Sequence, residues 1–274
     1  MYDLQTIRVR VSDGVAWATF DNPPINLVTP QLYIDLGHLL DQVDSDDRVR
    51  VIVFESAASD FFLAHWDMTA VGAAMPSDMP PAVELMPRLA ALPKVTIAKI
   101  AGRARGAGSE LALACDMRFA STERAILGQP EITVGLLPGG NGTQRLPGLL
   151  GRGRALEAIL SGDDFPAPLA ERYGWINRAV PDAELDEFVD RLARRIASFP
   201  PHAITAAKAM VDRITLPDSA GLAEESRIFQ EWTAHPEVAE RVTRLMKHGL
   251  QTHGPVELDL GRIAVDIATG KWRP

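Results

Sequence analysis

The runs VRVIVFES (residues 49–56) and KVTIAKIAG (residues 94–102) constrain this chain more than any other feature, because they stay apolar over most of their length instead of alternating. Bounded by turn and charged residues, they read as buried strands, which need cover on both faces. Covering elements are legible around them. Two alternating segments, TIRVRVS and VAWATF, flank Asp13-Gly14 and predict an antiparallel hairpin. Thr29 is placed to cap a helix running to about Val43, with Leu32, Leu36, Leu39 and Leu40 on one face. The stretch TAVGAAMPSDMPPAVELMPRL reads as a loop followed by a short helix, and a helix ending near Ala114 precedes the strand MRFAS. An amphipathic helix over AELDEFVDRLARRIASF ends at Pro200-Pro201, and almost everything beyond reads as helix. The expectation is an α/β body over residues 1–200 and a helical part over residues 201–274.

With 274 residues, 46% of them hydrophobic and 23% charged, the chain can bury a sizeable core and matches an ordinary globular protein. A net charge of -8, without any dense Lys/Arg cluster, argues against a nucleic-acid surface. No apolar run approaches the ~20 residues that span a bilayer. MYDLQTIRVRVSDG shows no basic-then-apolar leader, so a cytoplasmic protein is expected, acting neither on nucleic acid nor at a membrane. Cys115, the only cysteine, lies in an apolar run and reads as a small buried hydrophobe.

One carboxylate stands out. In ARGAGSELALACD (residues 104–116), small residues lead from Gly106 into an apolar helix, and Glu110 sits at the join. An acid in the first turn of a helix gains about 0.3–1 kcal/mol from the helix dipole. An acid beside backbone N–H groups aimed at a ligand can instead move protons. Both readings are open at this point. GQPEITVGLLPGGNGTQRL, rich in Gly and Pro and poor in large side chains, suits backbone that approaches something closely.

Taken in order, DNPPINLVTPQL, FFLAHWDM, KIAGRARGAGSELALACDMRFAS and GQPEITVGLLPGGNGTQRLPGLLG are similar to segments of the crotonase (enoyl-CoA hydratase/isomerase) superfamily. The agreement continues through RALEAILSGDDFPAPLAERYGWINRAVP, so that it covers about residues 6–200. The resemblance implies an α/β fold, a crotonase-like spiral of ββα turns forming two sheets wrapped by helices. It also implies a helical C-terminal part used to assemble a homotrimer or a dimer of trimers. Acyl-CoA thioesters are the implied substrates, with coenzyme A as the carrier and no metal or redox cofactor. The shared chemistry is stabilisation of a thioester enolate by two backbone N–H donors, which fall here on Trp66 and Ala107. Glu110 and Glu131 match the two glutamates of the family's hydratases. They lie 21 residues apart, about one more than expected, with the extra residue absorbed around STERAI. Ala64, Asp67, Gly106 and Gly135 fall at substrate-contact positions.

The chain departs from the family pattern in three places. In FFLAHWDM, His65 stands where the family has glycine, and Trp66 brings an indole where alanine would leave open volume. The main-chain donor survives both changes, because any residue but proline has one. The indole is expected in the acyl pocket or against the wall formed by residues 70–85. His65 is expected to point away and be satisfied locally, since the motif offers it no orienting partner. Further on, Thr69 replaces a lysine often found there, and EWTAHPEVAERVTRLMKHGLQTHGPVELDLGRIAVDIATGKWRP does not match the family's usual ending. Phosphate contacts must then come from elsewhere, or CoA is not the carrier. For Glu131 the bland alternative is a solvated loop acid. The leading expectation is an enoyl-CoA hydratase. Alternatives are another thioester-enolate reaction (isomerisation, hydrolysis or C–C cleavage) and a non-catalytic assembly protein.

Overall fold

The computed structural model describes residues 2–71 and 73–273. The chain repeats a unit of two strands and a helix. The first turn is the hairpin β1 (Ile7–Ser12) and β2 (Val15–Phe20), followed by α1 (Pro30–Ser45). The second is β3 (Val51–Ser56), β4 (Phe61–Leu63) and α2 (Ala82–Ala90), and the third is β5 (Val95–Ile100), β6 (Arg103–Arg105) and α3 (Ala107–Ala114). β7 (Met117–Ser121) and β8 (Ile126–Gly128) open a fourth turn, which continues through α4 (Gly142–Leu150) and α5 (Arg152–Ser161). Then come β9 (Asp164–Pro166), α6 (Ala167–Tyr173), β10 (Arg178–Val180) and α7 (Asp182–Ala197). From β3 to β8 the strands go alternately into two sheets, ordered β1-β2-β3-β5-β7-β10 and β4-β6-β8-β9. The β1–β2 and β8–β9 pairs are antiparallel and the others parallel. This is the spiral of ββα turns that the resemblance implies.

The local causes are those of the sequence. Asp13 and Gly14 both take positive φ, as a two-residue hairpin turn requires. The Thr29 hydroxyl accepts from the Leu32 N–H at 3.2 Å, and Pro30 occupies the first helical position. Successive residues of β3 go to opposite cores. Val51 and Val53 join Leu185, Val189 and Ala193 of α7, whereas Ile52 and Phe54 join Leu32, Leu36 and Leu40 of α1. On the α1 side, Phe20 stacks on Phe54 with centroids 5.7 Å apart and meets Phe62 edge-on at 5.5 Å. Each such buried side chain stabilises the fold by about 1.5–3 kcal/mol.

Beyond Pro200 the helices divide into two kinds. α8 (Pro201–Thr215) has no buried residue and exposes Met210, Val211 and Ile214, the last to 85%. The next four helices turn back on the core: α9 (Ser219–Thr233), α10 (Pro236–Lys247), α11 (Pro255–Leu258) and α12 (Leu260–Ala268). There Leu245, Leu250, Leu260 and Ile263 bury themselves against Val134 and Leu136. Among the described residues no helix is long and apolar enough to cross a membrane.

Candidate active site

β4 and β6 are parallel neighbours, Phe61 opposite Arg103 and Leu63 opposite Ala104. The residues that leave their ends therefore emerge side by side. After β4, the Val28 N–H donates to the His65 carbonyl at 3.1 Å, and the Asp67 N–H donates to the Val28 carbonyl at 3.0 Å. A trans peptide sets C=O and N–H on opposite sides. With the His65 carbonyl turned to Val28, the Trp66 N–H faces the other way, and no acceptor among the described residues bonds it. After β6, Gly106 turns the chain with φ +49°, and Ala107 opens α3, where the first N–H groups have no intrahelical partner. A Cβ on Gly108 would lie 2.3 Å from the Leu63 carbonyl oxygen, so only glycine lets the helix start rest on the β4 backbone. Trp66 and Ala107 both line one cavity of about 450 Å³.

Glu110 is 2% exposed and lines the same cavity. Its Oε1 accepts from the N–H groups of Gly140 and Gly142, each at 2.8 Å. Burial holds its carboxyl well above the ordinary range, and the charges of Glu131 and Glu225 push the same way. Glu131 comes from a 3-10 turn over Pro130–Val134 and is half-buried in the cavity wall rather than solvated on a loop. Burial raises it to about 7. The buried Gln129 amide nitrogen, in the orientation its neighbours dictate, lies 3.2 Å from each Glu131 oxygen. Burial thus pushes both carboxyls toward the protonated form. Because two N–H donors occupy Oε1 of Glu110, the proton sits on Oε2 when Glu110 holds it. Tyr33 joins them on the cavity wall, its phenol raised by burial and by the Glu110 charge.

The Trp66 indole lies on the cavity wall and meets the Tyr33 ring edge-on, with centroids 5.5 Å apart. Met68, Val71, Met75 and Met79 continue that wall, so the ring sits beside side chains that follow β4 in sequence. His65 differs from the sequence reading. Its Nδ1 is satisfied locally, 2.7 Å from the Trp66 carbonyl, but its Nε2 lies 2.9 Å from Oε1 of Glu257, a residue of α11. An orienting partner exists, and it comes from the tail. Burial alone lowers the imidazole, but the Glu257 carboxylate reverses this and holds it above its ordinary value. Burial likewise raises Glu257, and the His65 charge outweighs it, leaving the carboxyl below its ordinary value. The two therefore form a buried ion pair.

The remaining residues singled out from the sequence shape the walls rather than line the cavity. Ala64 packs with Ile25 and Phe61 and donates to the Asn26 carbonyl at 3.0 Å. Asp67 caps the 3-10 turn Met68–Ala70 through Thr69, accepting from its N–H at 2.9 Å and its hydroxyl at 2.7 Å. Gly106 fits between Glu131 and His65, a Cβ there lying 2.8 Å from the Glu131 Oε1 and 3.3 Å from the His65 Cβ. Gly135, with φ +84°, closes the turn that carries Glu131. Sequence reasoning missed Glu225, which is buried and accepts from the N–H groups of Asn141 at 2.6 Å and Thr143 at 2.9 Å, fixing the start of α4. A signal for it existed: Leu222, Glu225, Ser226 and Phe229 follow helical spacing, which places an acid on an apolar face.

The family model described as enoyl-CoA hydratase/isomerase matches residues 10–250, well past the boundary at 200 to which the sequence resemblance extends. YngF of Bacillus subtilis (strain 168), whose name assigns it provisionally to the enoyl-CoA hydratases/isomerases, is 32% identical over 226 residues, covering 80% of this chain and 86% of YngF. A crystal structure from Streptomyces avermitilis, provisionally titled an enoyl-CoA hydratase, superimposes with a TM-score of 0.90 at 48% identity, covering 99% of this chain and 98% of that one. An enoyl-CoA hydratase from Mycobacterium avium subsp. paratuberculosis K-10 superimposes with a TM-score of 0.79 at 25% identity, over 87% of this chain and 98% of that one. With the ββα spiral and the family's motifs in place along the chain, this protein belongs to the enoyl-CoA hydratase/isomerase family of the crotonase superfamily.

Proposed function

We propose that the protein adds water across the double bond of a 2-enoyl-CoA thioester. One observation carries this reading: two main-chain N–H groups, of Trp66 and Ala107, open onto the same cavity as two acids, Glu110 and Glu131, whose proton affinity is raised by burial. A thioester oxygen held by the two donors accepts the electron pair that leaves the double bond as water attacks C3. One carboxylate takes the proton of that water. The enolate then collapses while the partner carboxyl delivers a proton to C2, so water is added and no other reagent is consumed. Coenzyme A is the carrier, and the scheme uses no metal or redox cofactor. Apolar walls from Met68, Phe229, Leu245 and Leu260 support an uncharged acyl chain.

Double-bond isomerisation on the same machinery needs only one acid, and the presence of Glu110 beside Glu131 favours hydration. A panel of 2-enoyl-CoA thioesters, followed by loss of the conjugated-enoyl absorbance and by detection of the 3-hydroxyacyl product, tests the assignment. Isomerised product without hydration on every member overturns it. The working form we propose is a homotrimer, single or paired, acting in the cytoplasm on a small-molecule thioester rather than on nucleic acid or membrane. α8 supports the assembly, since its exposed Met210, Val211 and Ile214 have no cover within the chain. A monomeric mass by light scattering at micromolar concentration overturns it.

A further inference from the structure

Two of the places where the sequence departs from its family, the His65-Trp66 pair and the tail, meet in space. Glu257 bonds His65 as described, and its Oε1 also accepts from the Gln251 N–H at 2.7 Å. The Gln251 side chain reaches the residues on the other side of Trp66. Its Oε1 accepts from the Met68 N–H at 2.6 Å, and its Nε2 donates to the Asp67 carboxylate at 2.8 Å. Gln251 holds φ at +65°, a left-handed conformation that a residue with a side chain adopts at some cost. The tail segment is itself anchored: Arg105 donates to the Glu257 carbonyl at 2.5 Å while gripping Asp164 through two bonds of 2.7 and 2.6 Å, and Arg103 donates to the Leu258 carbonyl at 2.9 Å.

We propose that Gln251 and Glu257, acting through His65, are positioning residues that clamp the 65–68 segment and fix the direction of the Trp66 N–H. This rests on the reading of Trp66 as an oxyanion donor. The hydrogen pattern fits the task. A carbonyl and an ionised carboxylate only accept, so both nitrogens of His65 carry hydrogen and the ring is an imidazolium. It donates at one end to Trp66 and at the other to Glu257, and so ties the peptide that follows the donor to the tail. Val28 fixes the peptide that carries the N–H itself, through the His65 carbonyl. Between these two holds the N–H has one direction left.

The test uses the full-length protein and its Glu257→Gln and Gln251→Ala variants. Gln251→Ala removes the grip on Asp67 and Met68 without stranding a buried charge, so it stays informative if Glu257→Gln fails to fold. The probe is hexanoyl-CoA, isotope-labelled at the thioester carbonyl, which has no double bond to hydrate. Infrared difference spectra read the carbonyl stretch on binding, and kcat and KM are measured separately with an enoyl-CoA. The expected result is a marked downshift in the wild type that shrinks in each variant. With it, kcat falls by about 10- to 100-fold, the size of effect a slightly misplaced group produces, while KM changes less than about threefold. An unshifted carbonyl in the wild type overturns the oxyanion assignment and this proposal with it. A shifted wild type whose variants keep both the full shift and kcat overturns the clamp alone. So does a rise in KM with kcat unchanged, which assigns the tail to closing the cavity.

Discussion

The Val28 backbone beside the end of β4 and the tail segment around Gln251 and Glu257 both hold the peptides flanking Trp66, and they hold them by opposite means. On the strand side the contacts run from main chain to main chain, and the side chains matter chiefly by being small, as at Gly106, Ala107 and Gly108. On the tail side every hydrogen bond to residues 65–68 comes from a polar side chain of defined length and charge. A hold made of backbone tolerates a change as large as glycine to histidine, because the bonding groups come with any residue except proline. A hold made of side chains tolerates very little. Topology thus sets where the Trp66 N–H stands, and two side chains of the tail set how firmly it is aimed.

The largest expected effect leaves both holds untouched. Glu110→Gln or Glu131→Gln removes a proton-transfer group and lowers kcat by about 10²–10⁴, while a bound acyl-CoA keeps its carbonyl shift. Loss of the shift in either variant breaks the separation between aiming the oxygen and moving the proton. Next comes the donor itself. Trp66→Pro deletes the N–H and lowers kcat by about 10²–10³, whereas Trp66→Ala keeps it, retains turnover and moves preference toward bulkier acyl groups as the indole leaves the wall beside Tyr33. An unchanged preference in Trp66→Ala reduces the ring to packing, and an active, folded Trp66→Pro overturns the placement of the donor.

The smallest effect concerns stability. Burial raises Glu131 to about 7, so the folded state binds more protons than the unfolded state between the ordinary carboxylate value and that point. The stability this proton brings is complete below the unfolded value and is lost as pH rises through about 7. Glu131→Gln has no such slope. Its Tm relative to wild type is therefore expected to climb by a few degrees from mildly acidic to mildly alkaline buffer, and a constant difference contradicts the raised value. Such a gain bought with lost turnover is the familiar exchange between stability and function.

Legibility follows the same division. The runs around β3 and β5 could be read because strands buried on both faces leave long apolar stretches, and Glu110 because it interrupts such a stretch. Trp66 and Ala107 could be singled out because their motifs are local. The short strands β4, β6, β8, β9 and β10 were not visible, since three residues carry no period, although β4 and β6 place the two donors side by side. Glu225 left a trace in the spacing of α9, which was passed over. Glu257 left none: in VELDL it is an ordinary acid, and only the folded chain brings it to His65.

His65 and Glu257 stand 192 residues apart. A ribosome that has released the ββα core and both acids has yet to make the partner of His65. Chains fold as they emerge, N-terminal portions first, so the ββα core can form before the tail that bonds His65 and supplies Leu245, Leu250 and Leu260 to the cavity wall. On the proposed clamp, both the aim of the Trp66 N–H and the closing of the cavity wall thereby wait for the last stretch of chain rather than for the folding of the core.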